Sequence, residues 1–275
     1  MASEGLQGHR ARKRFGQNFL HDRHWIERIA KAVNATEGDD IVEIGPGQAA
    51  LTRELIAGAG KVRAVEIDRD LAAWLKGTFP ESLSLIEADA LTLDWTQVAK
   101  NDNLRVVGNL PYNISSPLLF KLLEAADHVK DQHFMLQKEV VDRMVAQHGS
   151  KTYGRLSVML QWRYRMQKLF DVPPGAFNPP PKVMSSVVRM IPKAKEEVPS
   201  VDFELFSSVV ANAFSQRRKT IRNALSALLS AEEIAACDVD PGARAEALPL
   251  DAFVRLAQKA EALGRKAVTP GTTVD

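Results

Sequence analysis

Along the first two-thirds of the chain, short runs of β-branched and other apolar residues alternate with stretches whose apolar positions recur every three or four residues. DIVEIG, KVRAVEID, LSLIEAD and NLRVVGNLPY read as strands, and AALTRELIAG, RDLAAWLKGTF and SSPLLFKLLEAA as helices. Strands that are apolar on both faces are buried on both faces, so this order predicts βαβ units around a parallel sheet. Two further strands are expected in QHFMLQ and SSVVRMIP, the second beyond DVPPGAFNPPP, whose prolines forbid a helix through its middle. From Ile191 to Val201 the text becomes IPKAKEEVPSV, where prolines and charges replace apolar residues, which reads as a linker. Beyond it FELFSSVVANAF, KTIRNALSALL, AEEIAA and DAFVRLAQKAEAL carry helical spacing. The organisation expected is an α/β domain over 1–195 with a basic N-terminal arm, a small all-helical domain over 196–264 and a disordered tail over 265–275.

Composition narrows this little. The 275 residues are 45% hydrophobic and 25% charged, which supplies an ordinary globular core. No apolar run approaches the ~18 to 20 residues of a membrane span, and MASEGLQGHRARKRF lacks the apolar stretch of a secretory signal. A cytoplasmic protein without a membrane partner is therefore expected. The single cysteine, Cys237, excludes an internal disulfide. The histidines are scattered, and His21 and His24 have no acidic or cysteine partners at ligand spacing, so no metal is expected. With a net charge of +2, any phosphate-binding surface must come from clustering. The two clusters are His9, Arg10, Arg12, Lys13 and Arg14 near the start, and Arg217, Arg218, Lys219 and Arg222 late in the chain.

Candidate chemistry sits at the ends of the predicted strands. Glu43-Ile44-Gly45-Pro46-Gly47 closes the first strand and a helix follows, so the turn brings backbone amides close to a ligand. Glu66, about 20 residues on, ends the next strand where Rossmann-like sites place an acid on ribose hydroxyls. Asp89 ends the third, placed to accept from an adenine amine or to cap a helix. The turn is not GxGxxG and no P-loop lysine follows, which favours a nucleoside carrying a small charged group over a pyrophosphate. S-adenosylmethionine fits that description. Ala49 stands where methyltransferase turns usually place a third glycine, and a helix-entry conformation is expected to accommodate its methyl group.

After the fourth strand comes Asn109-Leu110-Pro111-Tyr112, similar to the [DNS]-P-P-[YFW] signature of amino-methyltransferases. An exocyclic adenine amine is a poor nucleophile because its lone pair is delocalised, so the site must hold the nitrogen in line and accept its protons in hydrogen bonds. The Asn109 side-chain oxygen and the Leu110 carbonyl are the candidate acceptors, and Tyr112 offers a face for stacking. An extruded base would be clamped by a second aromatic, for which Phe177 is the candidate; in its stiff loop it serves either as a lid or as a core plug.

Together these residues resemble the KsgA and Erm family of ribosomal RNA adenine methyltransferases, over nearly the whole chain. The resemblance rests on RKRFGQNFLHD, EIGPGQAALT, NLPYNISSP, LQKEVVDRM, YGRLSV, VPPGAFNPPPKVMSSV and FSQRRKTIRNAL. It implies a Rossmann-like S-adenosylmethionine-dependent methyltransferase domain followed by a helical rRNA-binding domain. It adds Asn18 and Leu20 to a cofactor pocket with Gly45, Glu66, Asp89 and Asn109, and makes Tyr112 and Phe177 the two stacking faces. It implies dimethylation of two adjacent adenosines in a hairpin loop near the 3′ end of small-subunit rRNA, late in assembly, by a monomer acting on a pre-30S particle. Arg12, Lys13, Arg14, Arg217, Arg218, Lys219 and Arg222 become candidate phosphate contacts. The competing readings are an Erm-type enzyme acting on large-subunit rRNA, a non-catalytic assembly factor and a DNA amino-methyltransferase. The late motifs favour the KsgA branch, the intact NLPY and Glu66 favour catalysis, and the helical appendix is small for reading a DNA sequence.

Overall fold

The computed structural model of the protein describes residues 6, 11–12, 15–99 and 101–270. The chain forms two compact units, Met1–Val141 with Arg165–Pro192, and Asp142–Tyr164 with Lys193–Asp275. No helix among the described residues is long and apolar enough to cross a membrane.

Among the described residues there are nine strands, which, apart from the first residue of β7, belong to the first unit: β1 (Phe19–Leu20), β2 (Ile41–Ile44), β3 (Val62–Glu66), β4 (Leu83–Glu87), β5 (Leu104–Asn109), β6 (Val129–Gln137), β7 (Tyr164–Val172), β8 (Phe177–Asn178) and β9 (Ser185–Pro192). Seven of them make one sheet in the order β4-β3-β2-β5-β6-β9-β7, and β1 pairs with β8 in a separate two-stranded ribbon. Strands β4, β3, β2, β5 and β6 are mutually parallel, and β9 runs antiparallel to β6. All four residues of β2 are buried, as befits a central strand covered on both faces. Helices α1 (Arg23–Val33), α2 (Ala50–Ala59) and α3 (Arg69–Thr78) contribute apolar stripes, including Ile26, Ile29 and Val33 of α1 and Leu71, Ala72 and Leu75 of α3. Their starts are set locally: Asp22 accepts from the His24 N–H and Asp68 from the Asp70 N–H, as N-caps do. The strand order reverses between β2 and β5, so their carboxyl ends diverge and open a crevice.

The second unit is helical, with helices Arg155–Arg163, Phe203–Ala213 and Leu250–Ala262 among its longest. Two expectations need correction. The boundary drawn at 195/196 misplaces residues 142–164, whose aromatics pack among the later helices. Trp162 lies 5.5 Å from both Phe203 and Phe206, and Tyr153 meets Phe214 at 6.0 Å. The tail expected to be disordered from 265 is held at least to Val268. Its N–H donates to the Ser208 hydroxyl and its carbonyl accepts from Ser208 and Asn212. Residues 271–275 of that stretch lie outside the described residues.

Candidate cofactor and substrate site

A cavity of about 320 Å³ occupies the crevice, at the carboxyl ends of β2, β3 and β5. Its walls are the segment Phe15–Leu20, the turn Gly45–Gln48, Glu66 with Ile67, Asp89, and the run Asn109–Ile114. Asn18, Leu20, Gly45, Glu66, Asp89, Asn109, Leu110 and Tyr112 all line this one cavity.

The turn is shaped for close approach. Gly45 and Gly47 adopt φ of +67° and +54°, and a Cβ on Gly47 would stand 3.0 Å from the Phe19 ring. Ala49 is not in a helix-entry conformation: at φ 61° and ψ 25° it is left-handed, with its methyl group fully buried. Glu66 is fastened by two backbone donors, Asp68 N–H to Oε1 at 2.9 Å and Gly47 N–H to Oε2 at 3.3 Å, and each oxygen retains lone-pair capacity for a ligand hydroxyl. Burial raises its carboxyl pKa against these donors. Glu43, which sequence reasoning missed as a site residue, lies beside it in the wall. Its carboxylate accepts from Thr52 at 2.6 Å, and burial, with Glu66 nearby, pushes it up to about 7. Among the described residues the lining contains no lysine or arginine. A cavity with two buried carboxylates and no cation disfavours phosphates and favours a positively charged ligand.

At the end of β5 the Asn109 Nδ2 donates to the Asn18 carbonyl at 3.1 Å. Because a carbonyl only accepts, this contact fixes the amide's orientation and leaves Oδ1 as the free acceptor. The Tyr112 hydroxyl shares a 2.7 Å hydrogen bond with Ser185, tying the ring to β9, and burial raises its pKa. Asp89 Oδ1 accepts from the Leu91 N–H, so its turn-capping role is real while its second oxygen is not engaged by that bond.

Phe177 departs from the expectation. The ring is 2% exposed, belongs to the core beside Leu20, its partner in the β1–β8 register, and does not line the cavity. Of the two roles the loop allowed, it holds that of core plug. Arg12 departs as well: its guanidinium pairs with Asp68 at 2.9 Å and also reaches Asp70. Lys13 and Arg14 lie outside the described residues. Arg217, Arg218, Lys219 and Arg222 are exposed on the helical unit, with Arg217 donating to the Lys151 carbonyl. His133, on β6, also borders the cavity. Neither Glu43 nor His133 had a distinguishing signal, since each reads as part of an apolar strand.

The sequence pattern of the family described as "Ribosomal RNA adenine dimethylase" matches residues 8–261. The chain belongs to that family. It is 57% identical to Ribosomal RNA small subunit methyltransferase A of Thiobacillus denitrificans, over 87% of this chain and 94% of the relative. Against the Pseudomonas aeruginosa protein of the same name the identity is 53%, over 95% and 99%. Among solved structures, a dimethyladenosine transferase from Plasmodium falciparum superposes with a TM-score of 0.79 at 25% identity, covering 91% of this chain and all of that one. The 23S rRNA methyltransferase ErmE gives 0.68 at 26%, covering 89% and 100%. Members of the dimethylase family are methyltransferases that take the methyl group from S-adenosylmethionine, and the cavity fits that donor. The described residues of its lining carry Glu43, Glu66 and Asp89 and no lysine or arginine, which suits a positively charged donor.

Proposed function

We propose that the protein dimethylates the N6 amines of two adjacent adenosines in a hairpin loop near the 3′ end of small-subunit rRNA, in the cytoplasm, as a monomer acting on a late pre-30S particle. The observation that carries this reading is the Asn109 amide, oriented by the Asn18 carbonyl, in the lining of a cavity whose described residues carry carboxylates and no lysine or arginine. When bound, S-adenosylmethionine supplies an electrophilic methyl group on a sulfonium. The chain's own residues then do the rest. Glu66 receives the ribose hydroxyls and Asp89 the adenine amine of the donor. In the first transfer Asn109 Oδ1 and the Leu110 carbonyl accept the two N–H bonds of the target amine, and in the second one of them accepts the single N–H that remains, which aligns the nitrogen and draws its lone pair out of conjugation. Tyr112, held by Ser185, stacks on the extruded base. No strong base is required, because the nitrogen becomes acidic as it gains the methyl group. Arg217, Arg218, Lys219 and Arg222 contact phosphates and position the RNA.

The likeness to ErmE makes large-subunit rRNA the competing substrate. Transfer of labelled methyl to small subunits lacking the modification, to large subunits and to DNA, followed by nucleoside analysis, separates the readings. N6,N6-dimethyladenosine in small-subunit rRNA alone is expected, and label in the large subunit or in neither would overturn the proposal. Asn109→Ala should lower turnover about a hundredfold or more while cofactor affinity changes little, since the acceptor acts on the reacting amine. Unchanged turnover would remove Asn109 from the chemistry.

A further inference from the structure

The segment Phe15–Leu20 lines the cavity, and only its last two residues, Phe19–Leu20, are strand. What holds the rest is polar. Asp68, at the start of α3 and with a fully buried side chain, receives the Arg12 guanidinium on Oδ1 at 2.9 Å and the Gln17 amide on Oδ2 at 3.0 Å. The Arg12 backbone N–H donates to Gln17 Oε1 at 2.8 Å, and the Arg12 carbonyl accepts from the Phe15 N–H at 3.0 Å, closing a small ring of bonds at the head of the segment. On its other side the Asp68 N–H donates to Glu66. One buried carboxylate therefore joins the N-terminal segment to the loop that carries the ribose-binding acid. At the segment's far end, the Asn18 carbonyl orients Asn109.

We infer that Asp68 is a positioning residue for the cofactor, and that Arg12 serves it as an intramolecular tether and not as an RNA phosphate contact. A buried carboxylate with charge-assisted partners holds geometry far better than an exposed pair, because losing a partner leaves a charge desolvated. The tether fixes the Phe15–Leu20 wall in place before any ligand arrives, so binding does not have to order that segment. The inference rests on the cavity being the S-adenosylmethionine site.

The test uses the full-length protein with Arg12→Ala, Asp68→Asn and the double substitution. S-adenosylmethionine affinity is read by calorimetry, and amide exchange of Gly16–Leu20 is read without ligand. Each single change should weaken affinity about tenfold, the scale of one lost charge-assisted bond. The double should be no worse than the weaker single, and cofactor affinity should fall by more than turnover at saturating cofactor, since Asn18 still reaches Asn109 once the ligand has ordered the segment. Exchange over Gly16–Leu20 should quicken while β5 stays protected, a pattern that general destabilisation would not give. If Asp68→Asn does not fold, Arg12→Ala decides, its side chain being about one-third exposed. Unchanged affinity and unchanged exchange would overturn the inference. So would an Arg12→Ala protein that keeps its cofactor affinity but shows a shallower salt dependence of RNA binding. Should the wild type fail to bind S-adenosylmethionine, the functional reading falls, and the exchange data still decide the tether.

Discussion

The two ends of the same strands treat charge in opposite ways. At the amino end, β5 begins beside Arg105, whose Nε and Nη2 each donate to Asp131 at 2.9 Å while Nη1 reaches Asp39 at 2.7 Å. Its Nη2 also meets the Val33 carbonyl at the end of α1. Burial alone would raise the Asp39 carboxyl, but the Thr36 N–H and Arg105 outweigh it and hold it below the usual range. At the carboxyl end, Glu43 and Glu66 are buried with hydroxyl and amide donors and no lysine or arginine among the described lining residues, and both are pushed up. With Lys130 Nζ 3.5 Å from Asp39, two cations face two carboxylates, and this balanced network is complete in itself and locks α1 to the sheet. An unbalanced one is incomplete until something positive enters. Burial and charge type are alike at the two ends, so the missing partner, more than the carboxylates themselves, marks the site.

Breaking the balanced end should have the largest effect. Arg105→Met strands two buried carboxylates and should cost about 3 to 5 kcal/mol in urea unfolding. A loss below about 1 kcal/mol would mean the network behaves as a surface pair and the contrast between the ends is empty. Phe177→Ala comes next, at about 3 to 4 kcal/mol for deleting a core aromatic. A loss confined to turnover, with stability intact, would instead return Phe177 to the base-stacking role that the family resemblance implies.

The pH dependence sharpens the comparison further. His133 is buried on β6, and burial, opposed by Asp131, pushes it down to about 4. The unfolded chain, titrating near 6.5, binds the proton in between, so this group adds stability as pH rises from about 4 to 6.5, about 3 kcal/mol in all. Glu43 has the opposite sign: the native state holds the proton up to about 7 and the unfolded state only to about 4.5, so stability falls by a similar ~3 kcal/mol across that window. The two slopes oppose each other between about pH 4.5 and 6.5 in the wild type. His133→Leu should uncover the fall and Glu43→Gln the rise, measured as urea midpoints at both pH values. Parallel curves for all three proteins would show that neither group is perturbed as its burial requires.

What could be read from the sequence follows the same division. The parallel strands were legible because burial on both faces writes a continuous apolar run, and the glycine turn, Glu66, Asp89 and NLPY because they fall at the ends of those runs. β7 was not, since YRMQKLFDV intersperses charges and only its first and last residues are fully buried. KTIRNALSALL reads as a long helix but forms one only at Ile221–Ala224. Its backbone is taken by outside partners, with Ile221 N–H donating to Ala243 and Arg222 N–H to Pro241. The core position of Phe177 depends on the β1–β8 ribbon, a pairing between segments about 160 residues apart that no local pattern encodes. Glu43 and the Arg12–Asp68 contact were invisible for the same reason: their meaning lies in what the fold brings beside them.

The smallest effect tests the one place where the turn departs from its usual glycines. Ala49 sits at φ 61°, where a Cβ costs about 1 to 2 kcal/mol, and Ala49→Gly would relieve that. The same change gives up a fully buried methyl group, about 0.8 kcal/mol, and adds about 0.4 to 1 kcal/mol of unfolded-chain entropy. These nearly cancel, so the expected shift is within about 1 kcal/mol of zero. Gly47→Ala, with φ 54° and its new Cβ 3.0 Å from the Phe19 ring, has no offsetting gain and should both destabilise the protein and weaken cofactor binding by displacing the wall. If Ala49→Gly instead proves as costly as Gly47→Ala, packing of the methyl group governs the turn more than backbone strain does. The alanine would then be a fitted part of the core, and its likeness to the glycine of related turns a coincidence of position.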